Sequence, residues 1–102
     1  MDDPRLLKLD WRDNVFVAIQ PIEAGSELLM DDRFLAVPKT IPLGYKIAAR
    51  DLRIGEKIIK YHAAIGSATR TIAAGEIVHL HNMKSDYLPT FTRDEGNRYD
   101  RR

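Results

Sequence analysis

Ile41-Pro-Leu-Gly44-Tyr-Lys-Ile47, Leu52-Arg-Ile-Gly55-Glu-Lys-Ile58 and Ile72-Ala-Ala-Gly75-Glu-Ile-Val78 repeat one pattern. An apolar residue is followed by two spacers, a glycine, two further residues and a second apolar residue. A looser copy precedes them, Ile22-Glu-Ala-Gly25-Ser-Glu-Leu28. Glycine takes a positive φ without a Cβ clash, so it suits the residue that follows the two residues of a type I turn. The glycines at 25, 44, 55 and 75 therefore predict corners between short strands. The flanking apolar residues mark where each strand leaves and rejoins the core. The copies follow one another too closely for intervening helices, so the fold class is all-β.

Working outward, Asn14 to Gln20 alternates with Val15, Val17 and Ile19 on one face and Phe16 and Ala18 on the other. Period two with β-branched residues predicts a strand, here apolar on both faces and buried on both sides. Glu27 to Met30 and Arg33 to Val37 are expected to pair as a hairpin across Asp31-Asp32. Pro38 and Pro42 bracket a loop and exclude helix there. Gly66, in a run of small residues, predicts a bulge or a close backbone approach. Helix over 61–68 or 69–74 is the competing reading, and the β-branched residues and glycines oppose it. Residues 1–13 form a charged lead-in, with a turn at Asp10-Trp11-Arg12-Asp13-Asn14. Residues 14–83 form the domain. Residues 84–102 are a polar tail in which Tyr87, Leu88, Pro89 and Phe91 could dock, and Arg93 to Arg102 is expected to be disordered.

The chain has 102 residues, enough for one domain with a small core. Sixteen Lys and Arg against 15 Asp and Glu leave a net charge of +1, which supplies no field for nucleic acid or acidic membranes. There is no cysteine, so disulfides and thiolate metal sites are excluded. The acidic start Met1-Asp2-Asp3-Pro4 does not resemble a signal peptide, and no segment is long enough to span a bilayer. A cytoplasmic protein is expected. No Walker loop, dinucleotide fingerprint or nucleophile elbow is present.

The residues that could carry chemistry gather after the last repeat, in His79-Leu80-His81-Asn82. On a strand, His79 and His81 would share one face, with Cβ atoms roughly 6–7 Å apart and Leu80 pointing into the core. Such a pair suits two imidazoles on one metal, or a proton donor beside a substrate anchor. A catalytic metal would still need a third ligand from His62, a carboxylate or another chain. Asn82 could bind a substrate hydroxyl or cap the turn. The plainer reading is two polar residues alternating on a solvent-facing strand. Lys46, Arg50, Arg53, Lys57 and Lys60 make the middle of the chain basic and could hold a carboxylate or phosphate. A solvated face balanced by Asp51 and Glu56 is the alternative, and Arg50 with Asp51 is as easily a structural ion pair.

As an ordered set, Ile41 to Ala48, Arg50-Asp51-Leu52, Gly55-Glu56, Ile59-Lys60-Tyr61, Ile65-Gly66, Ile72 to Glu76 and Val78 to Asn82 resemble the SAF domain of the altronate/galactarate dehydratase family. The resemblance covers roughly residues 5–85. It implies a β-clip, a long bent hairpin folded on itself, and a part in sugar-acid dehydration. It also implies a divalent metal, iron ahead of manganese or magnesium, held at least partly by a partner. The family's His-x-His-Asn ending falls on His79, His81 and Asn82. Its basic glycine-turn segment falls on Lys46, Arg50 and Asp51, and its Lys-Tyr pair on Lys60 and Tyr61. The implied roles are acid/base or metal ligand for His79 and His81, and substrate binding for Lys46, Arg50, Lys60, Tyr61 and Asn82. The family commonly has histidine where this chain has Tyr45 and glycine where it has His62. The sulfolactate sulfo-lyase relatives carry this domain as a separate small subunit, and the segment 85–91 resembles the tail of one. A large catalytic subunit is the expected partner, with a second copy of the chain and a sugar-acid or other hydroxy-acid ligand beside it. The rival expectation is a module that binds a sugar acid or gates a partner's active site without catalysis.

Overall fold

The computed structural model describes residues 3–86. Every regular element among them is a strand: β1 Leu6–Leu7, β2 Val15–Ala18, β3 Glu27–Met30, β4 Arg33–Ala36, β5 Lys46–Ala48, β6 Lys57–Lys60, β7 Ala63–Ala68, β8 Ile77–Val78 and β9 Met83–Lys84. All pairings are antiparallel, in the orders β1-β2-β5-β8, β3-β4 and β6-β7-β9. The all-β expectation holds, and none of the described residues is helical. No helix among them is long and apolar enough to cross a membrane.

The sheets are segments of two long bent hairpins. In the first, Val15 pairs with Ala48, Ile22 with Ile41 and Glu27 with Ala36. The residue numbers of each pair have the same total, so one register runs unbroken to the tip at Asp31-Asp32, as the sequence predicts. In the second, Lys46 pairs with Val78, Leu52 with Ile72 and Lys57 with Ser67, again with a constant total. This register slips between Ile58 and Ile59, where Ile65 is left as the extra residue beside Gly66. The slip centres the tip on Tyr61-His62. β5 belongs to both hairpins. The bulge expected at Gly66 is present, and so is the close approach: a Cβ there would overlap the Lys84 carbonyl.

Each bend is a four-residue turn closed by a backbone bond. Ser26 N–H donates to Glu23 O at 3.0 Å, Tyr45 to Pro42 at 3.2 Å, Glu56 to Arg53 at 3.0 Å and Glu76 to Ala73 at 3.0 Å. The glycine is the third residue, with φ of 85° at both Gly25 and Gly75. That is the type II position. The sequence reading, which placed each glycine after a type I pair, is corrected here. A type II turn flips its central peptide, and this sends the glycine N–H across to the facing strand. Gly25 N–H reaches Val37 O at 2.8 Å, and Gly75 N–H reaches Ala48 O at 2.8 Å. The ladder thus continues through the corner.

The eight apolar residues that flank the corners are all buried: Ile22, Leu28, Ile41, Ile47, Leu52, Ile58, Ile72 and Val78. Each contributes about 1.5–3 kcal/mol by leaving water. They divide into two clusters. Phe16 and Ile47 enter one, and their neighbours Val15 and Ala48 enter the other. β2 and β5 therefore separate the two half-cores, which explains the double-faced apolar pattern of 15–18. Ile19 lies past the strand end and is exposed.

The lead-in is tied to this frame. Leu6 and Leu7 pair with Ala18 and Val17. Asp3 is buried and bonds to Leu29 through its backbone N–H (3.0 Å), while Arg5 holds its carboxyl well below the usual carboxylate range. At the other end, Asp86 accepts from Ser67 Oγ at 2.8 Å and pairs with Lys57 at 2.7 Å. The expectations for Tyr87 to Phe91 and for Arg93 to Arg102 lie outside the described residues.

Gly25 and Gly75 offer a clean comparison. A Cβ at Gly25 would meet nothing, whereas one at Gly75 would press on Leu35 Cδ2 at 2.7 Å. Gly25→Ala is expected to cost about 1 kcal/mol through its backbone alone. Gly75→Ala should cost a further ~1–3 kcal/mol through overpacking. Urea midpoints of the two variants measure the difference.

Candidate functional site

β8 ends at Val78, and residues 79–82 form a turn. The strand expected to carry His79 and His81 is therefore not there. Leu80, expected in the core, is 79% exposed, and Asn82 is fully buried. The cause is the Asn82 side chain. Its Oδ1 accepts from His79 N–H at 2.9 Å and its Nδ2 donates to Ile77 O at 2.8 Å. The backbone N–H groups of Asn82 and Met83 close on His79 O at 3.0 and 2.9 Å. This local network replaces the next rung of the ladder and turns the chain into β9. Of the two expectations for Asn82, turn closure is the one its hydrogen bonds perform.

The turn leaves both imidazoles in one cleft of about 420 Å³. Its walls include Lys39, Tyr45, Arg70, Glu76, His79 and His81. Ile47 opposes Ile77 and Lys46 opposes Val78, which brings Tyr45 opposite His79. The two rings stack at 5.2 Å between centroids with a 32° tilt, a favourable aromatic separation. Tyr45 thus stands against His79 on the cleft wall.

The other expected site residues are placed elsewhere. Lys46 is half-buried on the opposite face of β5 from Tyr45. Burial, and then the charge of Lys60, depress its pKa. Lys46 and Lys60 therefore form a basic pair that does not line the histidine cleft. Tyr61 is exposed at the second tip, in left-handed backbone with His62 (φ 54° and 60°). Buried Asp13 secures that tip: its two carboxylate oxygens accept from the Tyr61 and His62 N–H groups, both at 2.7 Å. Arg50 and Asp51 line a separate hollow at the Gly55 corner. Arg50 pairs with Glu56 rather than with the Asp51 carboxylate, which accepts from Ala74 N–H at 2.9 Å. The expected Arg50–Asp51 pair is corrected accordingly.

Among the described residues no three His, Asp or Glu side chains are grouped to hold a metal ion. The cleft offers two imidazoles, and Glu76 beside them spends an oxygen on Ala73 N–H at 2.8 Å. This chain's own described donors do not complete a metal centre.

Lys39 and Arg70 were not foreseen as cleft residues. Their signal lies in the repeat. Each stands two residues before a bridge residue, Ile41 and Ile72, as Arg50 does before Leu52.

A small all-β module of glycine-cornered hairpins, with a histidine pair in a cation-lined cleft, is the class that fold and site define. The chain belongs to the altronate/galactarate dehydratase SAF domain family, whose model matches residues 4–86. It is 44% identical over 75 residues to the (2R)-sulfolactate sulfo-lyase subunit alpha of Chromohalobacter salexigens, covering 68% of this chain and 80% of that one. It is 35% identical over 80 residues to the altronate dehydratase of Escherichia coli, covering 78% of this chain but only 16% of that protein. A second sulfolactate sulfo-lyase subunit alpha, from Paracoccus pantotrophus, is 39% identical over 51 residues, half of this chain and 76% of the relative.

Two stability outcomes follow. Asn82→Ala leaves Ile77 O and His79 N–H without their partner and is expected to cost about 2–3 kcal/mol in urea unfolding. His62→Gly relieves left-handed strain at the tip, partly offset by glycine entropy. It is expected to stabilise by about 0.5–1 kcal/mol, read as a raised Tm.

Proposed function

We propose that this chain is the small subunit of a lyase that acts on a hydroxy acid, either a sugar acid or a sulfonated relative. The observation that carries this reading is the contrast in coverage. The chain matches 80% of a subunit named as part of a sulfo-lyase, but 16% of a much longer dehydratase. The same module thus serves as a separate subunit in one relative and as a fused piece in another. On this reading the bent hairpins are a β-clip, the complex is cytoplasmic, and a larger subunit carries most of the catalytic groups. That subunit would also hold the divalent metal, since the described donors here do not complete a centre.

Elimination from a hydroxy acid needs an anchor for the carboxylate, a base for the α-proton and an acid for the leaving group. The chain's contribution is the turn at 79–82. Asn82 fixes the backbone of His79, Tyr45 stacks on the ring, and the imidazole stands in the cleft as the proton-transfer group. His81, on the same cleft wall, is the second polar contact for the ligand.

A second reading has its own support. Two exposed imidazoles with no metal triad among the described residues also suit a module that binds or gates and does no chemistry. One experiment separates the two. The chain is captured from its native cytosol, its large partner is identified by mass spectrometry, and the complex is reconstituted with His79→Ala. The catalytic reading expects a loss of 10²-fold or more in kcat, on the order of general acid–base catalysis, with the complex intact on gel filtration. An unchanged kcat with a raised KM would move the chain to the binding class. Recovery of the chain without a partner would sink the subunit reading.

A further inference from the structure

We infer that Arg70, with Lys39 beside it, holds the anionic end of the ligand in the Tyr45–His79 cleft. The inference rests on reading this cleft as the ligand face, and it adds the anchor that the histidines cannot supply.

Some cations of the described residues are paired with a carboxylate and others are not; of the unpaired ones, Arg33, Lys46, Arg53, Lys60 and Lys84 lie off this cleft. Arg5, Lys8, Arg12, Arg50 and Lys57 are each paired with a carboxylate. Lys39 and Arg70 have neither an ion pair nor a side-chain hydrogen bond among the described residues, yet both line the same cleft. The one acid on its walls, Glu76, is turned to the Ala73 N–H. Two imidazoles and a phenol stand beside them. A concave site with two uncompensated cations and few acids is built for an anion.

The fold explains why these two residues meet. Lys39 precedes the bridge residue of the first hairpin and Arg70 that of the second, at the same offset. The shared strand β5 brings the two hairpins together at Tyr45. The third basic residue at this offset, Arg50, stands at the Gly55 corner, where Glu56 neutralises it. A planar guanidinium donates two parallel N–H groups to a carboxylate or a sulfonate, whereas an ammonium adds only a point charge. Arg70 is therefore the primary anchor and Lys39 the secondary one. The ligand class is a short hydroxy acid with its carboxylate or sulfonate on Arg70 and its hydroxyl-bearing carbons toward Tyr45 and His79.

The test is a titration of the ¹⁵N-labelled full chain by NMR at constant ionic strength. The probes are galactarate, sulfolactate and, as an uncharged control, galactitol. The expected result is saturable shifts at Tyr45, His79, His81 and the Arg70 side chain with either acid and none with galactitol. Arg70→Gln should weaken binding roughly tenfold or more, and Lys39→Gln less. Arg70→Lys keeps the charge without the fork and should fall between Arg70→Gln and the unaltered chain. Shifts confined to the Arg50–Glu56 corner, an unchanged Kd in Arg70→Gln, or no saturation at millimolar acid would each overturn the assignment. The titration needs neither partner nor turnover. A reconstituted complex without lyase activity would remove the proposed function and leave this anion site standing. Activity retained in an Arg70→Gln complex would do the reverse.

Discussion

β5 is bonded along both edges, to β2 on one side and β8 on the other, and the rest of the molecule depends on that double pairing. Three residues, Lys46 to Ala48, set the register of two hairpins at once. Side chains alternate along a strand, so a slip of one residue on either edge would exchange the faces. Ile47 would leave its core, and Lys46 would take the place of Tyr45 beside the histidine. The glycine corners protect the register because each returns its N–H to the facing strand and leaves no gap in the ladder at the bend.

Where the ladder does stop, buried Asp and Asn side chains stand in for it. Asn14 accepts from Ile59 N–H and donates to Lys57 O, at 2.8 and 2.9 Å, which ties the start of β2 to β6. Asp13 takes the two N–H groups of the second tip, and Asn82 takes one N–H and one carbonyl of the histidine turn. These short side chains imitate a neighbouring strand where none can run. They are buried and hydrogen-bonded, so the energetic cost of leaving them unmet helps to fix the loops, as apolar packing fixes the strands. The orientation of His79 is therefore a property of Asn82 and Tyr45 as much as of its own strand.

This division explains what the sequence made legible. Corners, their buried flanks, the Asp31-Asp32 tip and the crowding at Gly66 depend on local rules of φ, burial and period two. All of them were readable from spacing. The turn at 79–82 was not, because His-Leu-His alternates as well as a strand does. The decision there belongs to the reach of one amide to a carbonyl five residues back, and a pattern of hydrophobicity does not contain it. Lys39 and Arg70 were hidden for a different reason. They lie 31 residues apart and meet only through the bridges Ile22–Ile41 and Leu52–Ile72 and the shared strand. The basic cluster seen in sequence, from Lys46 to Lys60, divides in space among a half-buried lysine pair, a neutralised corner and Lys57 paired with Asp86.

On the proposed reading, the chemistry of the cleft bears on why such a module would work beside a second protein surface. It presents imidazoles, cations and one acid, Glu76, no metal triad among the described residues, and an exposed leucine at its turn. The imidazoles and cations are suited to an anion, and none closes the site on its open side. Leu80, between the two histidines, is exposed, as are Trp11, Phe34, Ile54 and Tyr61 elsewhere on the surface. On the proposed reading, docking a larger subunit against this turn would cover Leu80 and exclude water from His79. It would also strengthen the pull of Arg70 and Lys39 on a carboxylate, because electrostatic attraction grows as the local dielectric falls. The half-site and the interface would then be one surface, and assembly itself would complete the pocket.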